Sequence, residues 1–188
     1  MPKLIFLDTN VVQYLLTFGE YIYGNYLSPE EEEKLKGLSR RTVQDVHALA
    51  AFIDLGRRNG WPLVVSQGTL DELAATCDAQ KRHSLVRWGL DLADYFQTIL
   101  PPDYEHTSFR QTQLRALEEW KGPIISLLPD EKDRLLIFDA VGFGCDVFLT
   151  MDYNTIWKFR ERIRLLGISV VRPVELLEYM RPSIGLLL

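Results

Sequence analysis

The sequence predicts an α/β fold in which a parallel sheet carries helices on both faces. Four short apolar runs predict buried strands, at 3–8, 62–66, 146–150 and 168–171. Each run is separated from the next by longer segments whose apolar residues recur at helical spacing. Strands that alternate with helices pair in parallel, and their crossover helices cover the faces of the sheet. The expected architecture is an α/β/α sandwich.

The helices are predicted from apolar stripes and from residues typical of helix ends. Ser28, Pro29 and the acids after them predict a helix start, with serine as the N-cap and proline in the first turn. The stretch at 19–28 is rich in Gly and Tyr and predicts a loop. Helices are predicted over 9–18, 41–58, 79–100, 108–121, 130–144, 154–166 and 173–180, and in a segment that contains residues 70–77.

The length predicts one domain. A chain of 188 residues is long enough to bury a substantial core without dividing into two. Two helical stretches, at about 19–60 and 79–128, are longer than a minimal βα unit requires. We therefore expect residues 1–188 to form one domain in which these stretches add a helical layer or arm.

The composition is that of a globular protein with a mildly acidic balance. Apolar residues make up 47% of the chain and charged residues 25%, and the net charge is −5. Such a chain can bind nucleic acid only through local basic patches, because its overall field is repulsive. Lys158, Arg160, Arg162 and Arg164 form one such group, for which a solvated helix face is the simpler interpretation.

The sequence favours a cytoplasmic location. Cys77 and Cys145 lie in apolar contexts, which is typical of buried free thiols in a reducing compartment, and two thiols without a nearby histidine do not make a zinc site. Pro2 and Lys3 lead directly into a four-residue apolar run that ends in an acid, so no signal peptide is predicted. No run approaches the ~18 apolar residues that a membrane helix requires. We expect no membrane association.

Acidic residues follow the predicted strands. Asp8 closes the first apolar run and Asp152 follows the third, while Glu72 and Asp133 stand at predicted helix starts. In a parallel sheet the positions that follow strand ends lie along one edge, so Asp8, Asp71 or Glu72, and Asp152 are expected to converge. Asp and Glu are also common helix caps, and capping is the simpler explanation for each acid taken alone.

A converging set of carboxylates needs a cation. Two carboxylates ~4 Å apart repel by ~4 kcal/mol at an effective dielectric constant of 20. Hard oxygen ligands without a suitable thiolate or histidine set favour Mg²⁺ or Mn²⁺ over zinc. The residues alone therefore predict an α/β enzyme with an acidic, metal-dependent site.

Four segments together resemble the motifs of the PIN-domain nuclease family. Leu4-Ile5-Phe6-Leu7-Asp8-Thr9-Asn10 resembles its opening strand, and Thr69-Leu70-Asp71-Glu72-Leu73 resembles its second motif. Asp133 followed by Ala140 resembles the third motif, and Phe148-Leu149-Thr150-Met151-Asp152 resembles the fourth. The motifs occur in the family's order and span nearly the whole chain. The resemblance implies a parallel α/β/α sandwich of PIN type.

The resemblance also implies a function. PIN domains are metal-dependent nucleases, often ribonucleases and sometimes the toxin of a toxin–antitoxin pair, which would add RNA as substrate and an antitoxin-type inhibitor protein as partner. Carried over by residue, the acidic set is Asp8, Glu72, Asp133 and Asp152, which would hold Mg²⁺ or Mn²⁺. Asn10 and Thr150 would be polar supports that orient the carboxylates. The chain is longer than a compact PIN toxin.

Neighbouring acids leave alternatives open. Asp71 competes with Glu72, which we retain because Thr69 and Leu73 set that register. Asp139 lies six residues after Asp133, well round the helix, and is left out. Asp146 is expected to cap the entrance of its strand.

Two other functions are compatible with parts of the sequence. A haloacid-dehalogenase-like phosphatase also begins with a strand ending in aspartate, but it requires a second aspartate where this chain has Asn10. A non-catalytic PIN-like scaffold could bind RNA or a protein partner, although it has no need of four mutually repelling acids. The apolar tail at 184–188 indicates a homodimer, another partner contact or a docked terminus.

Overall fold

The protein is built on a parallel four-stranded sheet. The computed structural model describes residues 2, 4–59, 63–75 and 128–184. The strands are β1 (Ile5–Leu7), β2 (Leu63–Val64), β3 (Val147–Leu149) and β4 (Ser169–Val171), and they lie in the order β2-β1-β3-β4 with every pair parallel. The α/β class and the parallel sheet predicted from the sequence are confirmed. Each strand lies within its predicted run and is one to three residues shorter.

Helices occupy most of the remaining described chain. They are α1 (Thr9–Thr17), α2 (Gly19–Gly24), α3 (Pro29–Lys36), α4 (Arg40–Asn59), α5 (Gln67–Ala74), α6 (Glu131–Gly142), α7 (Arg160–Ile163) and α8 (Pro173–Ile184). Short 3₁₀ turns at Trp157–Phe159 and Arg164–Leu166 flank α7. Within these residues, none of the helices is both long and apolar enough to cross a membrane.

The sheet separates two cores. Successive side chains of a strand point to opposite faces, so Ile5 and Leu7 join one buried cluster and Phe6 joins the other. The first cluster includes side chains of α1, α4 and α8, and the second includes side chains of α6 and α7. Phe6 stacks on Phe148 across the β1–β3 pair, with ring centroids 5.1 Å apart. Helices therefore cover both faces of the sheet.

The predicted start of α3 is confirmed. The hydroxyl of Ser28 accepts a hydrogen bond from the backbone N–H of Glu31, and the Glu31 carboxylate accepts one from the backbone N–H of Ser28. This reciprocal pair is a capping box, which satisfies two amide donors at once. Pro29 follows in the first turn, as the sequence predicted.

The loop predicted at 19–28 is wrong in its first part, because Gly19–Gly24 forms α2. Its first-turn amides, Glu20 N–H and Tyr21 N–H, donate to the carboxylate of Glu31, eleven and ten residues away. Ile22 is buried and anchors the helix in the first core. The sequence gives no local start signal here, since the cap comes from another helix.

The single helix predicted over 154–166 is replaced by a short α7 between two 3₁₀ turns. The segment ends at Gly167, which has φ of 87°, a left-handed conformation that glycine adopts without strain. The chain then enters β4. Ile163 and Leu166 are buried on the sheet face and hold the broken helix in place.

The stretch at 19–60, predicted as a helical elaboration, contains α2, α3 and all of α4, and α4 packs against α2 and α8. The helices predicted at 79–100 and 108–121 lie outside the described residues, as do Cys77 and residues 185–188 of the apolar tail. Cys145 is a buried free thiol, as expected.

Candidate metal site at the strand ends

Asp8 follows β1 at the centre of the sheet and is 3% exposed. Its carboxylate makes no helix-capping hydrogen bond, although the residue stands at the N-cap position of α1. Instead, Oδ2 accepts hydrogen bonds from Thr150 Oγ1 at 2.5 Å and from Asn10 Nδ2 at 2.8 Å. The capping explanation therefore does not account for Asp8.

Thr150 and Asn10 connect the ends of β1 and β3. Thr150 Oγ1 accepts from the backbone N–H of Asp152 at 2.9 Å, and Asn10 Oδ1 accepts from the backbone N–H of Met151 at 2.8 Å. Each of these side chains thus binds the Asp8 carboxylate and the chain beyond β3. Their contacts fit the supporting positions expected for them.

Glu72 and Asp71 face different surroundings on α5. Glu72 Oε2 accepts a hydrogen bond from Thr9 Oγ1 at 2.5 Å, so this carboxylate lies against the residue that follows Asp8. Asp71 is exposed and accepts a hydrogen bond from Gln67 one turn earlier. Of the two candidates, Glu72 is the one beside Asp8.

Asp133 and Asp152 meet at one hydroxyl. Thr155 Oγ1 donates to Asp152 Oδ2, and a hydrogen bond from Thr155 also lowers the pKa of Asp133. Asp152 Oδ1 accepts from the backbone N–H groups of Asn154 and Thr155, so this acid also caps the turn that follows it. At the start of α6 the cap is Asp130, which accepts from Lys132 N–H, and this leaves the Asp133 side chain directed to Thr155.

The four acids act on one another electrostatically. Burial raises the pKa of Asp8 from 3.8 to about 7, and the negative charges of Asp133 and Glu72 add to the rise, while the Thr150 hydroxyl opposes it. Burial also raises the pKa of Asp133 to about 6, with further contributions from Asp152, Asp130 and Glu72. The charges of Asp133 and Glu72 thus disfavour ionisation of Asp8, and those of Asp152 and Glu72 disfavour ionisation of Asp133, which is consistent with four acids along one edge of the sheet.

The donor chemistry of this edge suits a hard divalent cation. All four acids offer oxygen, and their charges lack compensation strong enough to keep the pKa of Asp8 and Asp133 in the usual range. In the described ranges no three Asp, Glu, His or Cys side chains come together as a ready-made metal site. Ligation of one ion by these acids therefore requires at least one of the side chains to turn.

Three residues of this region were given no role by the motif analysis, although Thr9 lies inside the first motif. Thr9 and Thr155 donate hydroxyl hydrogen bonds to Glu72 and Asp152. The third, Asp45, is fully buried in α4. Its position between Thr42 and Leu49 on a buried stripe was the available clue, because a charge at such a position requires a partner.

Asp45 joins three segments near the site. Its carboxylate pairs with Arg172 at 2.9 Å, accepts from the Tyr153 hydroxyl at 2.7 Å and accepts from Val174 N–H at 3.2 Å. Tyr153 follows Asp152 directly. Asp45 therefore fixes the segment after β3 to α4 and to the start of α8.

The other two acids considered, Asp146 and Asp139, have different surroundings. Asp146 Oδ2 accepts from Leu4 N–H at 3.1 Å, so it caps the strand entrance as predicted. Asp139 is buried in α6 beside Gly68, where an added Cβ would stand 3.2 Å from its carboxylate.

Comparisons of the chain with protein-family models, curated proteins and solved structures give no match.

Proposed function

We propose that the protein is a metal-dependent ribonuclease of PIN type that hydrolyses phosphodiester bonds at the edge formed by Asp8, Glu72, Asp133 and Asp152. The observation that carries the proposal is Asp8: a carboxylate buried at the end of the central strand, held by two side chains instead of capping its helix. Burial of a carboxylate beside other acids lowers the stability of the protein, so such a residue is expected where it binds a ligand.

Mg²⁺ or Mn²⁺ would be held by Asp8, Asp133 and Asp152, with Glu72 as a further ligand or as the group that orients water. When bound, the cation supplies Lewis acidity for attack on the phosphate and offsets the charge that develops there. The chain's own contribution is positioning. Thr150 and Asn10 hold Asp8 Oδ2, Thr9 holds Glu72 Oε2, and burial excludes water from Asp8.

Proton release is the second contribution of the chain. Asp8 and Asp133, with pKa values of about 7 and 6, hold part of their protons near neutrality. Cation binding requires both carboxylates in the ionised form, so it displaces those protons. The site is therefore expected to take up its cation more tightly as the pH rises.

A phosphatase of haloacid-dehalogenase type is less well supported. Such an enzyme needs a carboxylic acid two residues after its first aspartate. Asn10 stands there, and both ends of its amide are engaged, with Asp8 and with Met151 N–H. Asn10 has no proton to donate as a general acid.

The test is cleavage of labelled single-stranded and structured RNA in Mg²⁺, Mn²⁺ or EDTA. Glu72→Gln is compared with Asp71→Asn, because the two variants remove the same charge from adjacent residues, one beside Thr9 and one facing solvent. We expect metal-dependent cutting by the wild type and by Asp71→Asn, and a loss of at least tenfold in Glu72→Gln, the scale of about 1.4 kcal/mol at the transition state. Asp8→Asn should abolish cutting.

Equal activity in Glu72→Gln and Asp71→Asn would contradict the assigned acids. Absence of cutting by folded wild-type protein with either metal would contradict the nuclease and favour the non-catalytic scaffold. An antitoxin-type inhibitor and a homodimer stay predictions; co-purification and sedimentation of the full chain test them.

A further inference from the structure

Arginines gather around two aromatic rings on the segment that follows Asp152. The guanidinium of Arg160 lies 4.0 Å from the ring centroid of Trp157, and that of Arg41 lies 5.7 Å from it. Arg41 also lies 5.3 Å from the ring centroid of Tyr153, as does Arg172. These distances are within the range of cation–π attraction, so the rings hold the guanidinium groups in place. We refer to Arg41, Trp157 and Arg160 as the arginine–tryptophan surface.

Arg172 differs from the other two arginines in its charge balance. It is mostly buried and pairs with the fully buried Asp45, which accounts for its role in the fold. Arg41 is exposed, and its guanidinium lies over the two rings with no ion pair among the described residues. Arg160 is 36% exposed; its Nη1 donates to the carbonyl oxygen of Trp157 at 3.3 Å, and its ion pair in this part of the chain is a 3.8 Å approach to the exposed Glu161. Two guanidinium groups are therefore held in position with little carboxylate compensation.

The remaining acid beside these rings is already engaged. Glu175 Oε2 accepts from Trp157 Nε1 at 3.0 Å and from Arg172 N–H at 2.9 Å. These bonds fix the indole ring and occupy Oε2 of the Glu175 carboxylate. Within the described ranges, Glu175 forms no ion pair with Arg41 or Arg160. Trp157 thus has its edge anchored while its π system supports the cations.

The arginine–tryptophan surface adjoins the acidic edge. The backbone N–H of Trp157 donates to the carbonyl oxygen of Asp152 at 3.0 Å, so Trp157 lies one turn after that acid. Tyr153, which carries the other guanidinium contacts, is the residue next to Asp152. If one phosphate of an extended polyanion lies at the acidic edge, a neighbouring phosphate of the same strand would lie near Arg41 and Arg160.

We propose that Arg41 and Arg160, held by Trp157, bind backbone phosphates of a single-stranded nucleic acid that flank the bond at the acidic edge, with RNA as the substrate. This inference rests on the proposed nuclease function for the choice of RNA. Guanidinium forks match phosphate geometry and remain charged at every relevant pH. The net charge of −5 makes such a local surface necessary, because the rest of the protein repels a polyanion.

The test is binding rather than cutting. Fluorescence anisotropy of a labelled single-stranded RNA of about 12 nucleotides is followed in EDTA between about 0.05 and 0.3 M salt. The variant is Arg41→Gln with Arg160→Gln. The matched control is Arg162→Gln with Arg164→Gln, which removes the same charge from exposed positions a few residues away. A third variant, Arg41→Lys with Arg160→Lys, keeps the charge, and unfolding curves check that all variants fold.

Each lost phosphate contact lowers the slope of log affinity against log salt by about 0.7 for single strands, so the double variant should lose about 1.4. With equal affinity at 1 M salt, this corresponds to about 25-fold weaker binding at 0.1 M. The control should keep the wild-type slope, and the lysine variant should recover most of it. Single-stranded DNA of the same sequence should show the same loss, because the contacts are to phosphate.

An unchanged slope in the glutamine variant, or an equal loss in the control, would overturn the inference, as would failure of the wild type to bind RNA. Loss of binding to polyglutamate but not to RNA would assign the surface to an acidic protein instead. The outcome is separable from that of the nuclease proposal. If the wild type binds RNA through these arginines but never cuts it, the proposed binding surface stands and the proposed nuclease function is refuted. If the wild type cuts RNA and the glutamine variant binds as well as the wild type, only the proposed binding surface is refuted.

Discussion

Replacement of Asp8 by asparagine removes a charge from an enclosed position and keeps the shape of the side chain. The amide oxygen can accept the hydrogen bond that Thr150 donates to Oδ2 of the carboxylate. In the wild type, ionisation of Asp8 is disfavoured by burial and by Asp133 and Glu72. Without a cation, the variant is therefore expected to be more stable than the wild type wherever Asp8 would be charged.

The magnitude follows from the pKa of Asp8. Its folded value is about 7 and its ordinary value is 3.8. Between these values the folded protein holds a proton that the unfolded chain has lost, so the stability of the wild type falls as the pH rises. At about 1.4 kcal/mol for each tenfold change in acidity, the full loss is about 4 kcal/mol above pH 7. Allowing for the cost of burying an amide, we expect Asp8→Asn to gain about 2 to 4 kcal/mol there.

The assay is urea unfolding in EDTA, followed by circular dichroism at about pH 4 and pH 8 for the wild type and the variant. The two proteins should differ little at the lower pH, where Asp8 is protonated in the folded state and the unfolded chain has lost only about half of that proton, and should diverge at the higher one. Asp71→Asn is the control. It removes an exposed charge from α5 and should change stability by less than about 0.5 kcal/mol at either pH. If Asp8→Asn is only as stable as the wild type at pH 8, or less stable, the conclusion that the charge of Asp8 destabilises the folded protein is refuted.

The remaining predictions concern activity and packing. Cleavage in Mg²⁺ should increase from about pH 5 to pH 8, because Asp8 and Asp133 must lose their protons; a pH–rate profile of the wild type measures this. Asp45→Ala should lower the free energy of unfolding by about 3 to 5 kcal/mol in urea, because it leaves the charge of its buried partner unpaired. Gly68→Ala should cost about 1 to 3 kcal/mol in the same measurement, because its Cβ would stand 3.2–3.3 Å from three neighbouring side-chain atoms.

Each of these has an internal control. A cleavage rate that stays constant across this pH range would show that activity does not depend on the loss of protons from Asp8 and Asp133. Gly24→Ala places a methyl group where no atom lies within 4 Å, so it should be neutral or slightly stabilising, and equal losses at Gly24 and Gly68 would contradict the packing argument. Glu161→Gln, at an exposed ion pair, should change stability far less than Asp45→Ala.

The sheet was predictable because its signal is local. Buried parallel strands are short apolar runs, and all four lie inside their predicted segments. Their ends fix where Asp8 and Asp152 stand, so the placement of these two acids at one edge of the sheet followed from the topology. The choice of Glu72 over Asp71, made from the resemblance to a motif, agrees with the hydrogen bond that Glu72 accepts from Thr9.

The features of the fold and of the site that the sequence did not predict depend on contacts between distant segments. The start of α2 is satisfied by Glu31, a residue of the next helix, so no local pattern announces it. The buried charge of Asp45 is explained by partners more than 100 residues further along the chain, chief among them Arg172 at a separation of 127 residues. The broken helix around α7 has helical spacing in sequence, and its division into 3₁₀ and α turns depends on how Ile163 and Leu166 fit the sheet.

The position of β1 in the middle of the sheet has a consequence for synthesis on the ribosome. Of the four strands β1 is translated before the others, and its neighbour β3 begins about 140 residues later. At about 5–20 residues per second, one side of this apolar strand waits roughly 7–28 s for its partner. Asp8 and Glu72 are likewise made well before Asp133 and Asp152. The nascent chain thus carries an open strand edge suited to chaperone binding, and the proposed nuclease cannot act until Asp152 has been made.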